Sequence, residues 1–320
     1  MSPQLVVLDD LLSWRSAGYR AALLTVCSTW PASPCERGAL CAIREDGRLS
    51  GSVSGGLIED ELIDLVRSGI YWDGPVRLLC YTGGDEPEQR RLPAGAQLTV
   101  ALEPAPGVAE LALAAKALRA RQVVMREVDL DSGAVQIEVV DAASRGAVSA
   151  DGRTVRTLLR PAWRVWPLAG EAVVQAIRRV ARFVHFEVVF VQFEGRAGTA
   201  GLPTLPATMQ PGTISANELD ALTIVLGFDV EPLPFAEALQ EAIERCGSPL
   251  CVQTRRDPVH ATCSPAASPG ERIVSAARTP EEVAVTALAA LIEMRAERLA
   301  GKSMPSRAPL IRANALVSNE

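Results

Sequence analysis

The sequence predicts two α/β domains in one chain, and three observations carry that expectation. In the first half a glycine-rich run, Gly51-Ser52-Val53-Ser54-Gly55-Gly56-Leu57-Ile58-Glu59, stands between a β-hairpin and an amphipathic helix. In the second half a strand, turn, helix and strand follow one another from Trp163 to Val191, the start of a βαβ unit. Between the halves, Ser149 to Pro161 is polar at its start and ends before a new apolar segment, and reads as a linker. The expected domains are residues 1–150 and 162–300, with 301–320 a mostly disordered tail.

Leu8 to Ala17 reads as a first helix, with Ser13, Arg15 and Ser16 outward, and Ala21 to Cys27 as a buried strand. Leu40 to Arg44 is a short strand, Glu45 to Arg48 a turn, and Leu49 to Val53 the returning strand. Ile58 to Val66 has apolar residues at helical spacing. Val76 to Tyr81 and Gln97 to Leu102 read as strands around a polar loop from Thr82 to Arg91. Pro106-Gly107 breaks the chain before an Ala/Leu-rich helix, Val108 to Arg121. Val123 to Val128 and Val135 to Val140 form a hairpin around Asp131-Ser132-Gly133. Val173 to Val184 is a helix, Glu187 to Val191 and Thr223 to Leu226 are strands, and Ala197 to Thr213 is a long loop. A last helix starts with Thr279 as N-cap, Pro280 at its first position and Glu282 three residues after the cap.

Composition narrows the classes. With 320 residues, 48% hydrophobic and 22% charged, the chain fits a soluble globular protein with room for two cores. A net charge of -6 argues against a nucleic-acid partner. No apolar run reaches the roughly 18 residues that span a bilayer, and Met1-Ser2-Pro3-Gln4 lacks the layout of a signal peptide. Seven cysteines, an odd count at irregular spacing, fit reduced thiols in a cytoplasmic setting. Two histidines, His185 and His260, and no CxxC pair argue against zinc.

The glycine-rich run is the main candidate site. Glycines there allow a ligand to approach the backbone, and free amides at the helix N-terminus favour an anion. The competing reading is a tight turn capped by Ser54.

Two further segments accompany it. Thr25-Val26-Cys27-Ser28-Thr29-Trp30-Pro31-Ala32-Ser33-Pro34-Cys35-Glu36-Arg37-Gly38-Ala39 precedes the run, and Leu92-Pro93-Ala94-Gly95-Ala96 leads into a strand ending Glu103-Pro104. In this order and spacing the first hundred residues resemble the N-terminal domain of the XdhC/CoxI family. The pattern is a strand followed by T-W-x-S-S-P-x-x-x-G-A, then D-G-x-x-x-G-S-V-S-G-G-C-x-E, then L-P-C-G-G before a strand ending E-P. The resemblance implies an accessory protein rather than an enzyme. Such a protein binds the molybdenum cofactor (molybdopterin) transiently, protects it and passes it to a molybdenum hydroxylase apo-enzyme. Xanthine dehydrogenase, carbon monoxide dehydrogenase and aldehyde oxidoreductases are the client types. It also implies a cysteine desulfurase that sulfurates the cofactor, and a homo- or hetero-dimer. The cofactor phosphate is expected at Ser54, Gly55 and Gly56, with Arg37 either a second anion contact or a solvated surface arginine. Glu59 would orient a pterin amine or favour the helix dipole.

Two family cysteines are absent: Leu57 follows the paired glycines, and Ala94 stands in the L-P-C-G-G position. Neither offers the soft sulfur that molybdenum prefers. Cys27, Cys35 and Cys41 lie in the same domain, and one of them could replace the lost thiols in space. For Cys27 and Cys41 the competing reading is a small buried hydrophobe; Cys35 sits in a polar loop.

The resemblance implies a Rossmann-like open-sheet second domain with the fingerprint G-A-G-x-V-A. This chain has Ala169-Gly170-Glu171-Ala172-Val173-Val174, lacking the first and third glycines. Glu171 would repel a pyrophosphate. The ribose acid reads Gln192, with Glu194 two residues on. The fold is expected kept and the dinucleotide site lost. The family's T-H-D reads Gly227-Phe228-Asp229, and its G-S-R loop most nearly matches Gln253-Thr254-Arg255. Two other functions stay open: a non-binding partner subunit of a complete homologue, and a dinucleotide-dependent oxidoreductase.

Overall fold

The computed structural model describes residues 1–84, 91–142, 144, 148–150, 152–169, 171–189, 220, 222–228, 250–255, 271–275 and 279–299. Gln192, Glu194, the loop 197–213, Asp229 and the tail 301–320 lie outside them. The chain is α/β and divides into two units, Met1–Pro161 and Ala162–Glu320.

The first unit begins with α1 (Pro3–Ser16), earlier than the sequence pattern suggested. Ser2 explains the start, because its hydroxyl accepts from Leu5 N at 3.1 Å and Pro3 takes a position whose missing N–H costs nothing. The unit's first sheet holds β1 (Ala21–Ser28), β2 (Leu40–Arg44), β3 (Leu49–Gly51), β4 (Arg77–Thr82) and β5 (Gln97–Glu103). Their order is β3-β2-β1-β5-β4, with every pairing antiparallel. β1 is the central strand and is buried from Ala21 to Cys27. Its side chains alternate between the two faces. Ala21 and Leu23 join a core with Leu8, Leu11 and Trp14 of α1 and Leu111, Ala115 and Leu118 of α3 (Val108–Arg119). Ala22, Leu24 and Val26 join the opposite core, with Ile58 and with Leu62 and Val66 of α2 (Glu59–Arg67). One strand therefore holds helices on both faces.

A second antiparallel sheet completes the unit: β6 (Val123–Asp129), β7 (Val135–Val140), β8 (Val148–Ala150) and β9 (Thr154–Leu159), in the order β7-β6-β9-β8. The hairpin β6–β7 matches the sequence pattern. The linker expectation for Ser149 to Pro161 does not hold. β9 pairs with β6 from Val124↔Leu159 to Asp129↔Thr154, and Val155, Leu158 and Leu159 are buried. Period-two burial with short turns was masked there by the polar residues between the strands.

In the second unit, β10 (Trp163–Leu168), β11 (Phe186–Val188), β12 (Thr223–Phe228), β13 (Leu250–Arg255) and β14 (Glu271–Ser275) form a parallel sheet in the order β11-β10-β12-β13-β14. The direction of winding reverses at β10, as in doubly wound sheets. α4 (Glu171–Ala181) follows β10 directly and buries Val174, Ala176, Ile177 and Ala181. It stops earlier than expected, since Arg182–Val184 tightens into a 3₁₀ turn. Gln253-Thr254-Arg255 belongs to β13 rather than to a loop. α5 (Pro280–Leu299) starts as the sequence indicated. Thr279 Oγ1 accepts from Glu282 N at 3.2 Å, while Glu282 Oε2 accepts from Thr279 N at 3.3 Å, a reciprocal capping box.

Candidate functional site

Antiparallel pairing gathers the three motif segments at one end of the first sheet. Thr25↔Leu40 and Cys41↔Gly51 set the end of β1 beside the start of β2 and the end of β3. Ser28↔Thr99 and Thr82↔Gln97 bring the start of β5 and the end of β4 to the same edge. The loop after β1, the turn after β3 and the loop before β5 therefore share that end. Leu92 and Ala96 of the third segment join the same core as Val53 and Ile58 of the second.

The turn from Gly51 to Ile58 is built around one carboxylate. Glu59 is the first residue of α2, and its side chain turns back over the run. Oε1 accepts from Val53 N at 3.0 Å, from Ser54 N at 2.9 Å and from the Ser52 hydroxyl. Oε2 accepts from Gly56 N at 2.9 Å, from Ile58 N at 3.2 Å and from the Ser54 hydroxyl. The two remaining amides are also committed: Gly55 N donates to Ser52 Oγ at 2.8 Å, and Leu57 N to Ser54 Oγ at 2.9 Å. Ser54 Oγ further accepts from Ile58 N at 3.0 Å, so Ser54 closes the turn ahead of the helix, whose own N-cap residue is Ile58. For the run that leads into the helix, the expectation of free amides is corrected; α2 itself begins at Glu59. Every amide from Val53 to Ile58 is satisfied from within, because Glu59 sits where an external anion would.

The electrostatics follow from this geometry. Burial opposes ionisation of Glu59, but the Ser52 and Ser54 hydroxyls and the amides of Ser54 and Val53 outweigh it. They hold the carboxyl at a pKa of about 2. Glu59 and Ser54 are both buried. Glu59 is thus a buried charge in the first turn of α2, where it favours the helix dipole, with its oxygens already engaged by the turn's own donors.

The glycines divide the labour. Gly51, Gly55 and Gly56 have φ of +80°, +78° and +98°, a region that L side chains rarely adopt. A Cβ at Gly51 would stand 2.3 Å from Leu40 O, and one at Gly55 would stand 2.4 Å from Pro34 Cγ. At Gly56 a Cβ would meet open space. Gly55 therefore seats the turn against the preceding loop, and Gly56 presents bare backbone to solvent. Leu57 and Ala94, the positions without the family's sulfur, are both exposed.

The thiols differ sharply. Cys27 and Cys41 are buried. Burial pushes the Cys27 thiol up to about 11, against the Ala101 backbone and Arg37. Burial, then the charges of Glu59 and Cys35, push Cys41 up further. Both behave as small core residues. Cys35 is half-buried, and its Sγ donates to Ser52 Oγ at 3.5 Å. Ser33 Oγ accepts from Cys35 N at 3.2 Å and donates to Cys35 O at 2.9 Å, fixing the loop around it. Cys80, exposed on the edge strand β4, is a fourth thiol of this unit that the sequence reading passed over. Its signal was present, since an edge strand exposes alternate residues.

Arg37 is placed differently from the others. Its Nε donates to Cys27 O at 3.1 Å and its Nη2 to Val148 O, so it ties the motif loop to β8. The structure thus brings Cys35, Ser54, Gly55, Gly56 and Glu59 together through Ser52 and Pro34, while the two carbonyls that Arg37 holds lie outside the turn.

In the second unit, Glu171 is the first residue of α4 and is exposed. It stands just past the carboxyl end of β10, where the sheet reverses between β11 and β12. Ligands of doubly wound sheets bind at such a point.

Residues 14–81 match the XdhC and CoxI family. The matched segment is 68 of the 320 residues. It contains the first two motif loops and the whole Glu59-centred turn; the third loop joins it through the sheet. No curated protein matches the chain. Among solved structures, a crystal structure of a xanthine dehydrogenase from Bacillus halodurans matches at 14% identity and a TM-score of 0.62. The match covers 95% of this chain and 98% of that one. At that identity the likeness is one of fold, and it runs well beyond the XdhC/CoxI segment.

Proposed function

We propose that this chain is an accessory protein of a molybdenum hydroxylase, and that it holds the enzyme's molybdenum cofactor at the motif end of the N-terminal sheet. The XdhC/CoxI segment supports the accessory role. One observation carries the site: three motif segments separated in sequence converge on one sheet end, around a turn that Glu59 holds in a single conformation. A fixed turn with exposed glycine backbone needs little ordering on binding.

The residues fit the cofactor in part. When bound, it supplies a phosphate, a pterin rich in hydrogen-bonding groups, and a molybdenum centre that takes sulfur ligands. Cys35 provides a half-buried thiol of the soft type that such a centre prefers. Gly55 and Gly56 are exposed and, without side chains, allow close approach of a ligand. Ser54 and Glu59 shape the turn from inside. Arg37 retains hydrogen-bonding capacity beyond the two carbonyls it holds, because a guanidinium carries five donors. A hydroxylase apo-enzyme is the partner this reading requires; a cysteine desulfurase and dimer formation belong to it as further proposals.

The test is retention of molybdopterin. The purified chain is incubated with released cofactor, desalted, and assayed for oxidised pterin by fluorescence. Retention above a control protein is expected, and Gly56→Asp should abolish it. That variant adds a charge at the open glycine and strains φ by roughly 1–2 kcal/mol, so its melting point should fall by only a few degrees. No retained pterin in the wild type would overturn the binding role.

A second reading is a partner subunit that no longer binds cofactor. Leu57 and Ala94 favour it, since both are exposed at this end and neither carries sulfur. Absence of pterin together with a stable complex with a cofactor-binding homologue would select it.

A further inference from the structure

We propose that the Gly51–Ile58 turn is an oxyanion-binding loop whose resident anion is this chain's own Glu59 carboxylate, which closes the loop to phosphate. The proposal deepens the cofactor-binding reading by stating which part of the site a ligand's phosphate does not use.

The donor set is that of an anion site. The amides of Val53, Ser54, Gly56 and Ile58 and the hydroxyls of Ser52 and Ser54 all point at the two carboxylate oxygens. Successive amides converge in this way only because Gly55 and Gly56 take positive φ. Glu59 is 7% exposed, so its charge has exchanged water for these donors almost completely. A buried carboxylate is tolerated only when hydrogen bonds replace its hydration. Phosphate offers the same donors no geometry that the carboxylate lacks, and it would have to expel a covalently tethered competitor. The tether gives that competitor an effective concentration in the millimolar range or above. The surface left to a ligand is the outer side of the turn, at Gly55, Gly56 and Leu57.

Removal of the carboxylate should therefore open a real anion site, and anions should restore what the mutation takes away. In the full-length chain, Glu59→Ala is expected to lower the melting temperature by roughly 6–12 °C. Sodium acetate or phosphate at tens of millimolar should recover at least half of that loss, measured against sodium chloride of matched ionic strength. Wild type should show no phosphate-specific shift. Glu59→Gln keeps the bulk but sets an NH₂ against the amide donors, so acetate should not rescue it. If Glu59→Ala does not fold in chloride, its refolding yield in acetate against chloride becomes the readout, and a higher yield in acetate is expected. Three results would overturn the proposal: a saturable phosphate shift in wild type, a Glu59→Ala melt equal to wild type, or no rescue by either anion. None of these measurements uses pterin, so failure here and failure of the cofactor-binding reading remain separable.

Discussion

At the scale of single residues, Glu59 decides what the motif turn can do. Its carboxyl sits near 2 against an ordinary 4.5. A folded-state pKa below the unfolded value contributes stability that is complete above the unfolded pKa and is lost as pH falls through the folded one. The contribution is on the order of 3 kcal/mol above about pH 5. Burial and the Glu59 charge raise the neighbouring Cys41 thiol on β2, so that group stays neutral throughout the acid range. The stability difference between wild type and Glu59→Gln, measured by urea unfolding, should therefore be largest above pH 5 and shrink steadily as pH falls toward 2. A difference independent of pH would mean that the carboxylate charge is not what holds the turn.

At the scale of elements, the joint between the two sheets of the first unit rests on a buried ion pair. Arg126 Nη2 on β6 donates to Glu103 Oε1 on β5 at 2.6 Å, with side chains 4% and 10% exposed. The sequence showed Glu103-Pro104 as the end of a motif, and the fold gives the glutamate a structural task. Breaking a buried pair by removing one member leaves an uncompensated charge, which costs about 3–5 kcal/mol. Arg126→Ala should lower stability by that amount in urea titrations. A loss within about 0.5 kcal/mol, as at an unconstrained surface site, would show that water solvates the pair. The strands β8 and β9, read as linker from the sequence, belong to this joint: Val148 and Val155 pack with Cys27 and Ala101 of the first sheet.

At the scale of the molecule, the second unit has a doubly wound parallel sheet, and a glutamate opens the helix that follows its first strand. Glu171 holds the first position of α4, at the helix N-terminus where a dinucleotide pyrophosphate would be expected to bind. Two unit charges about 4 Å apart at an effective dielectric of 20 repel by roughly 4 kcal/mol, about a thousandfold in affinity. Calorimetric titration of the full chain with NAD, NADP and FAD should give no dissociation constant in the micromolar range. A micromolar constant for any of them would revive the oxidoreductase reading.

The sequence by itself determined the class of fold and the identity of the motif loops. The continuous apolar run of β1, the hairpins β2–β3 and β6–β7 and the Thr279 capping box are written in local patterns, and local patterns depend on neighbours a few residues apart. The resemblance of the motif segments to the XdhC/CoxI family was legible for the same reason. Three matters were decided only in three dimensions. Ser149 to Pro161 became strands because β6, more than twenty residues earlier, offered an unpaired edge. Cys27 on β1 and Cys41 on β2 pack into two different cores, while Cys35, in the loop between those strands, stays half-buried beside Ser52. Glu59 turned back into its own N-terminal turn, so a motif that reads as a vacant anion site is filled. Glycine spacing reports that a backbone can converge its amides. It does not report which carboxylate arrives first, because that depends on a side-chain rotamer, on burial and on the hydrogen bonds that repay desolvation.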